Sequence, residues 1–197
     1  MKILCLYNNE CAMELFAWLK QQNNECVLWD KRLELGWVAG QKFDLAISYT
    51  YSYIVKKDII DCLHGNIVNL HTSYLPWNKG SDPNMWSLIE NTPRGVTLHY
   101  INEMLDQGDI IVQELVNEYD DNEYTLQSTY ETLHIAALSL FRKAYKYYRY
   151  WPEMRKRMPT NGSYHSDKQG RVLREIVTTF NMPVEEFIKK YNQKTGR

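Results

Sequence analysis

The chain has 197 residues, of which 44% are hydrophobic and 24% are charged. This length suits one domain with a sizeable core plus an appendage, and this composition excludes disorder as the main state. No apolar stretch reaches the ~20 residues of a membrane-spanning helix, and the N-terminal run has no signal-peptide cleavage site. Four scattered cysteines without a CxxC pair favour a reducing compartment, so we expect a cytoplasmic protein.

The net charge of −1 conceals two parts of opposite charge. Residues 1–141 hold 9 Lys and Arg against 19 Asp and Glu, a balance of −10, whereas residues 142–197 hold 14 against 5, a balance of +9. A basic tail can bind nucleic acid or a phosphorylated ligand. We favour its commoner role, a solvated helical surface that docks on an acidic body, with contact to a nucleotide diphosphate as the next alternative.

Apolar runs of strand length alternate with denser apolar segments along the chain. Strands are predicted at Lys2–Tyr7, Cys26–Trp29, Phe43–Tyr49, Asn66–Leu70, Val96–Ile101 and Ile110–Val116. Helices are predicted at Cys11–Leu19, at Lys56–Leu63 and from Thr125 to about Tyr150, the last opened by Asp120, Asp121 and Asn122 as cap-type residues. This order predicts an α/β fold with a Rossmann-like, mostly parallel sheet flanked by helices. The loop before the last strand is too short for a parallel crossover, so we expect the last two strands to be antiparallel neighbours.

The pattern weakens after Tyr150, where prolines and Gly162 interrupt it. Short helices are predicted at Val172–Phe180 and Val184–Tyr191. We therefore expect a core over residues 1–150 and a basic, helical or irregular C-terminal appendage over residues 151–197 that packs on the core.

Two polar side chains stand at the end of the fourth predicted strand, where parallel sheets place their ligand crevice. Asn69 and His71 are two residues apart, so both point to the same face of the strand. This pair suits chemistry at a carbonyl, because the amide can donate to a developing oxyanion and the imidazole can move a proton. Asp106 lies in a turn between the last two strands. Local capping by these side chains is the alternative interpretation.

The loop Thr72–Asn84 is rich in turn-forming residues that can hold one shape without regular structure. Leu75 and Pro76 offer an apolar wall beside the histidine. Stacking, amide and cationic contacts to a ligand are offered by Trp77, Asn78 and Lys79. A connecting loop without a binding role is the alternative.

Three separated motifs resemble those of the folate-dependent formyltransferases, over roughly residues 1–150. They read Asn69-x-His71-x-Ser73-x-Leu75-Pro76-x-x-x-Gly80-x-x-Pro83, then Gly95-Val96-Thr97, then Leu105-Asp106-x-Gly108-Asp109-Ile110-Ile111. The resemblance implies the formyltransferase fold, N10-formyltetrahydrofolate as formyl donor and a triad of Asn69, His71 and Asp106. In that family the acceptor amine attacks the formyl carbon directly. Asn69 and protonated His71 would stabilise the oxyanion, His71 would relay a proton, and Asp106 would orient His71 or hold a bridging water.

The resemblance also implies binding residues. Cofactor contacts would come from Tyr49, Thr50, Tyr51, Leu75, Pro76, Met104 and Leu105. The Trp77-Asn78-Lys79 segment looks most like the sugar N-formyltransferases, which modify amino-dideoxy sugars on a nucleotide diphosphate for surface polysaccharide. Acceptor contacts would then come from Trp77, Asn78, Lys79 and Asn84.

Other acceptors fit the sequence less well. A glycinamide ribonucleotide enzyme would carry a Gly/Ser-rich phosphate loop where this chain has Tyr7–Ala12. A methionyl-tRNA enzyme would carry a sizeable C-terminal domain. We therefore expect a small-molecule partner, with no nucleic acid or membrane partner and a homodimer as one assembly to test. Formyl transfer to another small amine and a non-catalytic folate-binding module stay open.

The five histidines are dispersed and form no metal-ligand motif, so we expect no metal. His99 alternates along a predicted strand and is interpreted as structural. His134 is placed on a packing face of the long helix.

Overall fold

A computed structural model describes residues 1–116 and 124–196 of the chain. The predicted capping residues Asp120, Asp121 and Asn122 lie outside the described residues. The chain divides into two units, each assembled from three stretches. The first unit contains Met1–His71, Leu98–Val112 and Lys143–Met158, and the second contains Thr72–Thr97, Gln113–Arg142 and Pro159–Arg197.

Strands and helices alternate as the sequence predicts. The strands are β1 (Lys2–Leu6), β2 (Glu25–Trp29), β3 (Leu45–Tyr49), β4 (Ile67–His71), β5 (Lys79–Gly80), β6 (Gly95–Tyr100), β7 (Ile110–Leu115) and β8 (Tyr164–His165). The α-helices are α1 (Met13–Gln21), α2 (Leu35–Gln41), α3 (Lys57–Cys62), α4 (Pro83–Glu90), α5 (Leu126–Tyr145), α6 (Trp151–Met154), α7 (Asp167–Ile176) and α8 (Val184–Thr195). Short 3₁₀ turns lie at Glu10–Ala12 and Tyr148–Tyr150. None of the described helices combines the length and apolar character needed to cross a membrane.

Six strands form one sheet in the order β2-β1-β3-β4-β6-β7. β1 pairs in parallel with β2 and with β3, and β3 pairs in parallel with β4. The neighbours β6 and β7 are joined by hydrogen bonds from Tyr100 N to Asp109 O (2.9 Å) and from Val116 N to Arg94 O (3.0 Å), the pattern of an antiparallel pair. The predicted α/β fold, with a mostly parallel sheet and an antiparallel last pair, is confirmed.

The central strands are continuous apolar runs because they are buried on both faces. All five residues of β3 are buried, and Ile3–Leu6 of β1 are 0% exposed. In the first unit, Val38 of α2 and Ile59 of α3 pack in one cluster with residues of β1, β3 and β4. α2 is not among the predicted helices, because its two glycines are poor helix formers. The burial of Val38 overrides that weak propensity.

A second apolar cluster forms the core of the second unit. Trp86 of α4, Leu173 of α7 and Phe187 of α8 belong to it, together with Leu126 at the start of α5. α4 is not among the predicted helices, because Pro83 follows a turn-rich loop. Proline is nevertheless well suited to the first turn of a helix, which is where Pro83 lies.

The boundary between the units differs from the predicted boundary at residue 150. Residues 143–158 belong to the first unit, whereas residues from Pro159 onward share the second unit with α4. Leu173 and Phe187 are 0% exposed because they share one apolar cluster with residues of α4. α7 also begins earlier than predicted, because Ser166 and Gln169 form a capping box at its start.

We expect His134 to make the protein less stable in acid. Burial lowers the pKa of His134 to about 4, as predicted for a residue on a packing face. The unfolded chain therefore takes up a proton near pH 6.5 that the folded chain excludes, so stability is full above pH 6.5 and falls as the pH drops toward 4, by up to about 3 kcal/mol. Chemical denaturation between pH 7 and 4 should show this loss in wild type and not in His134→Gln.

A matched control is His64→Asn, since His64 is exposed and its positive φ of 54° suits asparagine. This variant should keep the wild-type pH dependence. Parallel curves for His134→Gln and wild type would contradict the assignment.

Candidate active site

Four polar side chains of the first unit meet at the carboxyl end of β4. Asn69 and His71 come from β4, His99 comes from β6, and Asp106 follows β6 in a turn. Asn69 Nδ2 donates to Asp106 Oδ1 at 3.2 Å and lies 3.3 Å from His99 Nε2. Asp106 Oδ2 lies 3.8 Å from His71 Nε2, and Asp106 Oδ1 lies 3.6 Å from His99 Nε2. The three residues predicted as a triad are therefore brought together around one carboxylate.

The turn before β7 places the Asp106 carboxylate. Asp106 has a positive φ of 52°, which aspartate tolerates better than most residues. The Asn102 side chain supports the turn by accepting from Met104 N at 2.9 Å and donating to Gln107 O at 3.1 Å. A Cβ at Gly108 would overlap the carbonyl of Tyr100, so only glycine lets the two chain segments approach this closely.

The cluster is largely shielded from water. His71 is 9% exposed and Asp106 is 8% exposed. An imidazole and a carboxylate 3.8 Å apart attract each other when the imidazole is protonated, and burial strengthens that attraction relative to bulk water. The geometry can therefore hold a proton on His71 and release it to a group nearby.

His99 is a member of the cluster that sequence analysis misses. It is 1% exposed, and its Nδ1 lies 2.8 Å from the Tyr100 carbonyl oxygen. From the sequence, His99 is interpreted as structural. The strand period of two indicates only the face of the sheet on which its side chain lies, not the side chains that it meets there. The signal that finds it is the strand order, since β6 lies directly beside β4.

The predicted cofactor residues of the first unit differ in their exposure. Met104 and Leu105 are 58% and 44% exposed, so two adjacent apolar side chains are available for contact with an aromatic ring system. Tyr51 is half-buried and donates to Lys31 O at 2.6 Å, and Thr50 has a positive φ of 64°. Tyr49, by contrast, is 1% exposed. Its side chain belongs to the core, so a cofactor contact at Tyr49 would come from its backbone groups.

The predicted binding loop of the second unit is held mainly by internal bonds. Leu75 is 1% exposed and Pro76 is buried. Asn78 is 0% exposed, donates to Thr92 Oγ1 at 2.7 Å and accepts from Ser163 Oγ at 3.2 Å.

Asn84 is bound in the same way. It is 8% exposed, donates to Thr129 Oγ1 at 3.0 Å and accepts from Arg94 Nη2 at 2.8 Å. The amide groups of Asn78 and Asn84 are engaged inside the protein. Both side chains help to hold the loop in shape, and their predicted contacts with the acceptor stay predictions.

Lys79 and Trp77 differ from these two asparagines. Trp77 is half-buried. Lys79 is 8% exposed as a whole residue. Its ammonium has no hydrogen-bond or ion-pair partner within residues 1–116 and 124–196, and it is not among the buried unpartnered atoms, so it reaches solvent. This cation therefore has no counter-charge among the described residues and is open to an anion from solution.

The described residues contain no group of three or more His, Cys, Asp and Glu side chains that could hold a metal ion.

The turn that carries Asp106 should depend on Gly108. In Gly108→Ala the added methyl group must displace the backbone at Tyr100, so we expect the free energy of unfolding to fall by about 1–3 kcal/mol. Denaturant unfolding measures this change. Gly40→Ala is the matched control, because Gly40 lies in α2 with open space around it and alanine favours a helix. Equal stability of the two variants would show that the turn relaxes around the methyl group.

Comparison with known proteins agrees with this geometry. A family model described as formyl transferase matches residues 35–144, more than half of the chain. The crystal structure of the formyltransferase PseJ from Anoxybacillus kamchatkensis holds UDP-4,6-dideoxy-4-formamido-L-AltNAc and tetrahydrofolate. It is similar to this chain with a TM-score of 0.84 and 36% identity, over 97% of this chain and 100% of that chain. A 4-N formyltransferase from Francisella tularensis shares the fold, with a TM-score of 0.72 and 20% identity over 96% of this chain and 87% of that one.

Curated relatives include the methionyl-tRNA formyltransferase of Fusobacterium nucleatum. It is 32% identical over 98 residues, which are 49% of this chain and 30% of that protein. The chain spans 23–38% of the length of such relatives. The clustered triad, the match to the family model and the likeness to PseJ along nearly the whole chain lead to one assignment: the chain belongs to the formyl transferase family.

Proposed function

We propose that this protein transfers a formyl group from N10-formyltetrahydrofolate to the amine of a nucleotide-linked amino-dideoxy sugar. The observation that carries the proposal is the cluster of Asn69, His71 and Asp106 in a chain of this family. The acceptor class rests on the 36% identity to PseJ, whose crystal contains a formamido sugar nucleotide and tetrahydrofolate.

The chemistry needs one donor to an oxyanion and one carrier of a proton. When bound, N10-formyltetrahydrofolate supplies the formyl group, and its carbon–N10 bond breaks after the new carbon–nitrogen bond forms. Asn69 donates to the oxygen that gains charge during the attack. His71 takes the proton that the amine nitrogen loses and returns one to N10, so the proton count balances. Asp106, 3.8 Å from His71, favours the protonated imidazole between these two steps.

Residues of the first unit fit the folate. Lys57 Nζ lies 3.6 Å from Glu103 Oε1. This ion pair connects the segment after Tyr51 with the turn that precedes Asp106. That turn carries the exposed side chains of Met104 and Leu105. An aromatic pterin would cover apolar surface that water otherwise wets, which supports the predicted role of these two residues.

Internal hydrogen bonds of the loop after β1 count against a phosphate site there. Asn9 Oδ1 accepts from Cys11 N at 3.0 Å, and Asn8 Oδ1 accepts from Ser52 N at 2.8 Å. A phosphate loop instead leaves backbone N–H groups free for the anion. This arrangement disfavours glycinamide ribonucleotide as the acceptor. The methionyl-tRNA relatives keep a tRNA acceptor as the second candidate.

Lys79 is the residue that we assign to a phosphate of the acceptor. Its ammonium, unpartnered within residues 1–116 and 124–196, would gain a charge-assisted hydrogen bond on binding. This role also suits the nucleotide diphosphate that the sugar N-formyltransferases recognise.

An acceptor screen tests the reaction and the acceptor together. We expect release of tetrahydrofolate with a UDP- or dTDP-linked amino-dideoxy sugar and none with glycinamide ribonucleotide or methionyl-tRNA. His71→Asn is the control, because loss of a positioned proton carrier should lower kcat by at least ~100-fold. Turnover with either of the other acceptors alone would overturn the sugar assignment. Folate binding without turnover of any amine would indicate a binding module.

Lys79→Met should raise the KM for the nucleotide sugar by about tenfold or more, because it removes one charge-assisted hydrogen bond of roughly 1.5–3 kcal/mol. Steady-state kinetics with the nucleotide sugar and with the free amino sugar separate the phosphate contribution, since the KM for the free sugar should not change. Lys168→Met, which removes an exposed lysine of α7, is the matched control. An unchanged KM for the nucleotide sugar would remove Lys79 from phosphate binding.

A further inference from the structure

The second imidazole of the cluster, His99, is held in one tautomer by the backbone. A carbonyl oxygen can only accept a hydrogen bond, so the 2.8 Å contact between His99 Nδ1 and Tyr100 O requires a proton on Nδ1. In the neutral ring, Nε2 then carries a lone pair and acts as an acceptor. The separation of 3.6 Å between His99 Nε2 and Asp106 Oδ1 is longer than a hydrogen bond, as expected when no proton lies between these atoms.

The lone pair of His99 faces the amide of Asn69. Asn69 Nδ2 lies 3.3 Å from His99 Nε2 and 3.2 Å from Asp106 Oδ1. An amide nitrogen carries two hydrogens, and here each has its own acceptor. The two acceptors together define the plane of the Asn69 amide and the side to which its nitrogen points.

We propose that His99 is a positioning residue that, together with Asp106, fixes the orientation of the Asn69 amide. The inference rests on the proposed function, because Asn69 is the donor to the oxyanion in that reaction. With only one acceptor, the Asn69 amide group could rotate about the Cβ–Cγ bond. Its oxygen would then lie where its nitrogen is needed. A donor that is held in place before the reaction stabilises charge more effectively than one that must reorient.

The two acceptors of Asn69 differ in strength, and this difference suits the reaction. Asp106 offers a carboxylate, whereas His99 offers a neutral nitrogen, which is the weaker acceptor. As negative charge develops on the formyl oxygen, that oxygen can compete for the hydrogen that His99 accepts. The hydrogen bond to Asp106 meanwhile keeps the amide in place.

Two substitutions at residue 99 separate positioning from mere structure. Glutamine can place its Oε1 near the position of His99 Nε2 and so accept from Asn69, but it lacks the donor to Tyr100 O. Asparagine can place its Nδ2 near Nδ1 and so keep the bond to Tyr100 O, but it lacks the acceptor for Asn69. We expect His99→Gln to keep kcat near wild type and His99→Asn to lower kcat by about tenfold or more with little change in KM. A purely structural role of His99 predicts the opposite order of kcat, with the higher value for His99→Asn. Either that order or equal kcat values of the two variants would overturn the proposal.

Thermal unfolding of both variants shows whether they fold. A second measurement, by NMR on the wild-type protein, depends neither on turnover nor on a variant. In the ¹⁵N-labelled wild-type protein, a hydrogen bond from Asn69 Nδ2 to His99 Nε2 gives a scalar coupling between these two nitrogens across the bond. Detection of this coupling, with Nε2 unprotonated, supports the proposal even if no acceptor amine is turned over. A proton on Nε2, or the absence of coupling, would overturn it whether or not the formyl transfer is confirmed.

Discussion

The carboxylate of Asp106 is the acceptor on which the polar cluster of the first unit depends. It is 8% exposed, and a buried anion is tolerated only when donors and positive charge surround it. Asn69 supplies a donor, and His71 supplies the positive charge once it is protonated. The positive φ of Asp106 and the close approach at Gly108 are local backbone requirements that place this one carboxylate.

In the second unit, C-terminal residues shape the loop that follows β4. β8 pairs with β5, and a Cβ at Gly162 would overlap the carbonyl of Pro76. Ser163 bonds Asn78, and Arg174 of α7 pairs with Asp82 at the start of α4. The positive charge of the tail is thus used partly for docking on an acidic residue of the same unit, in line with the interpretation favoured from the charge pattern. Within this loop the cation of Lys79 has no partner among residues 1–116 and 124–196, which leaves it available to an anion.

The predictions that hold depend on local patterns. β1, β3 and β4 are recognisable because buried parallel strands are continuous apolar runs. The antiparallel pair β6 and β7 follows from the short connection between them. α2 and α4 escape prediction because glycine and proline carry the local signal, whereas tertiary packing of Val38 and Trp86 determines the structure.

The sequence by itself determined that Asn69 and His71 share one face at the end of a strand, because a strand repeats every two residues. It also placed Asp106 in the turn after the next strand. Only the tertiary structure showed that His99 faces Asn69, that Tyr49 and Asn78 are covered, and that the ammonium of Lys79 has no partner among the described residues. The physical reason is that burial and hydrogen-bond partners depend on segments that are far apart along the chain, and no local pattern records which of those segments will meet.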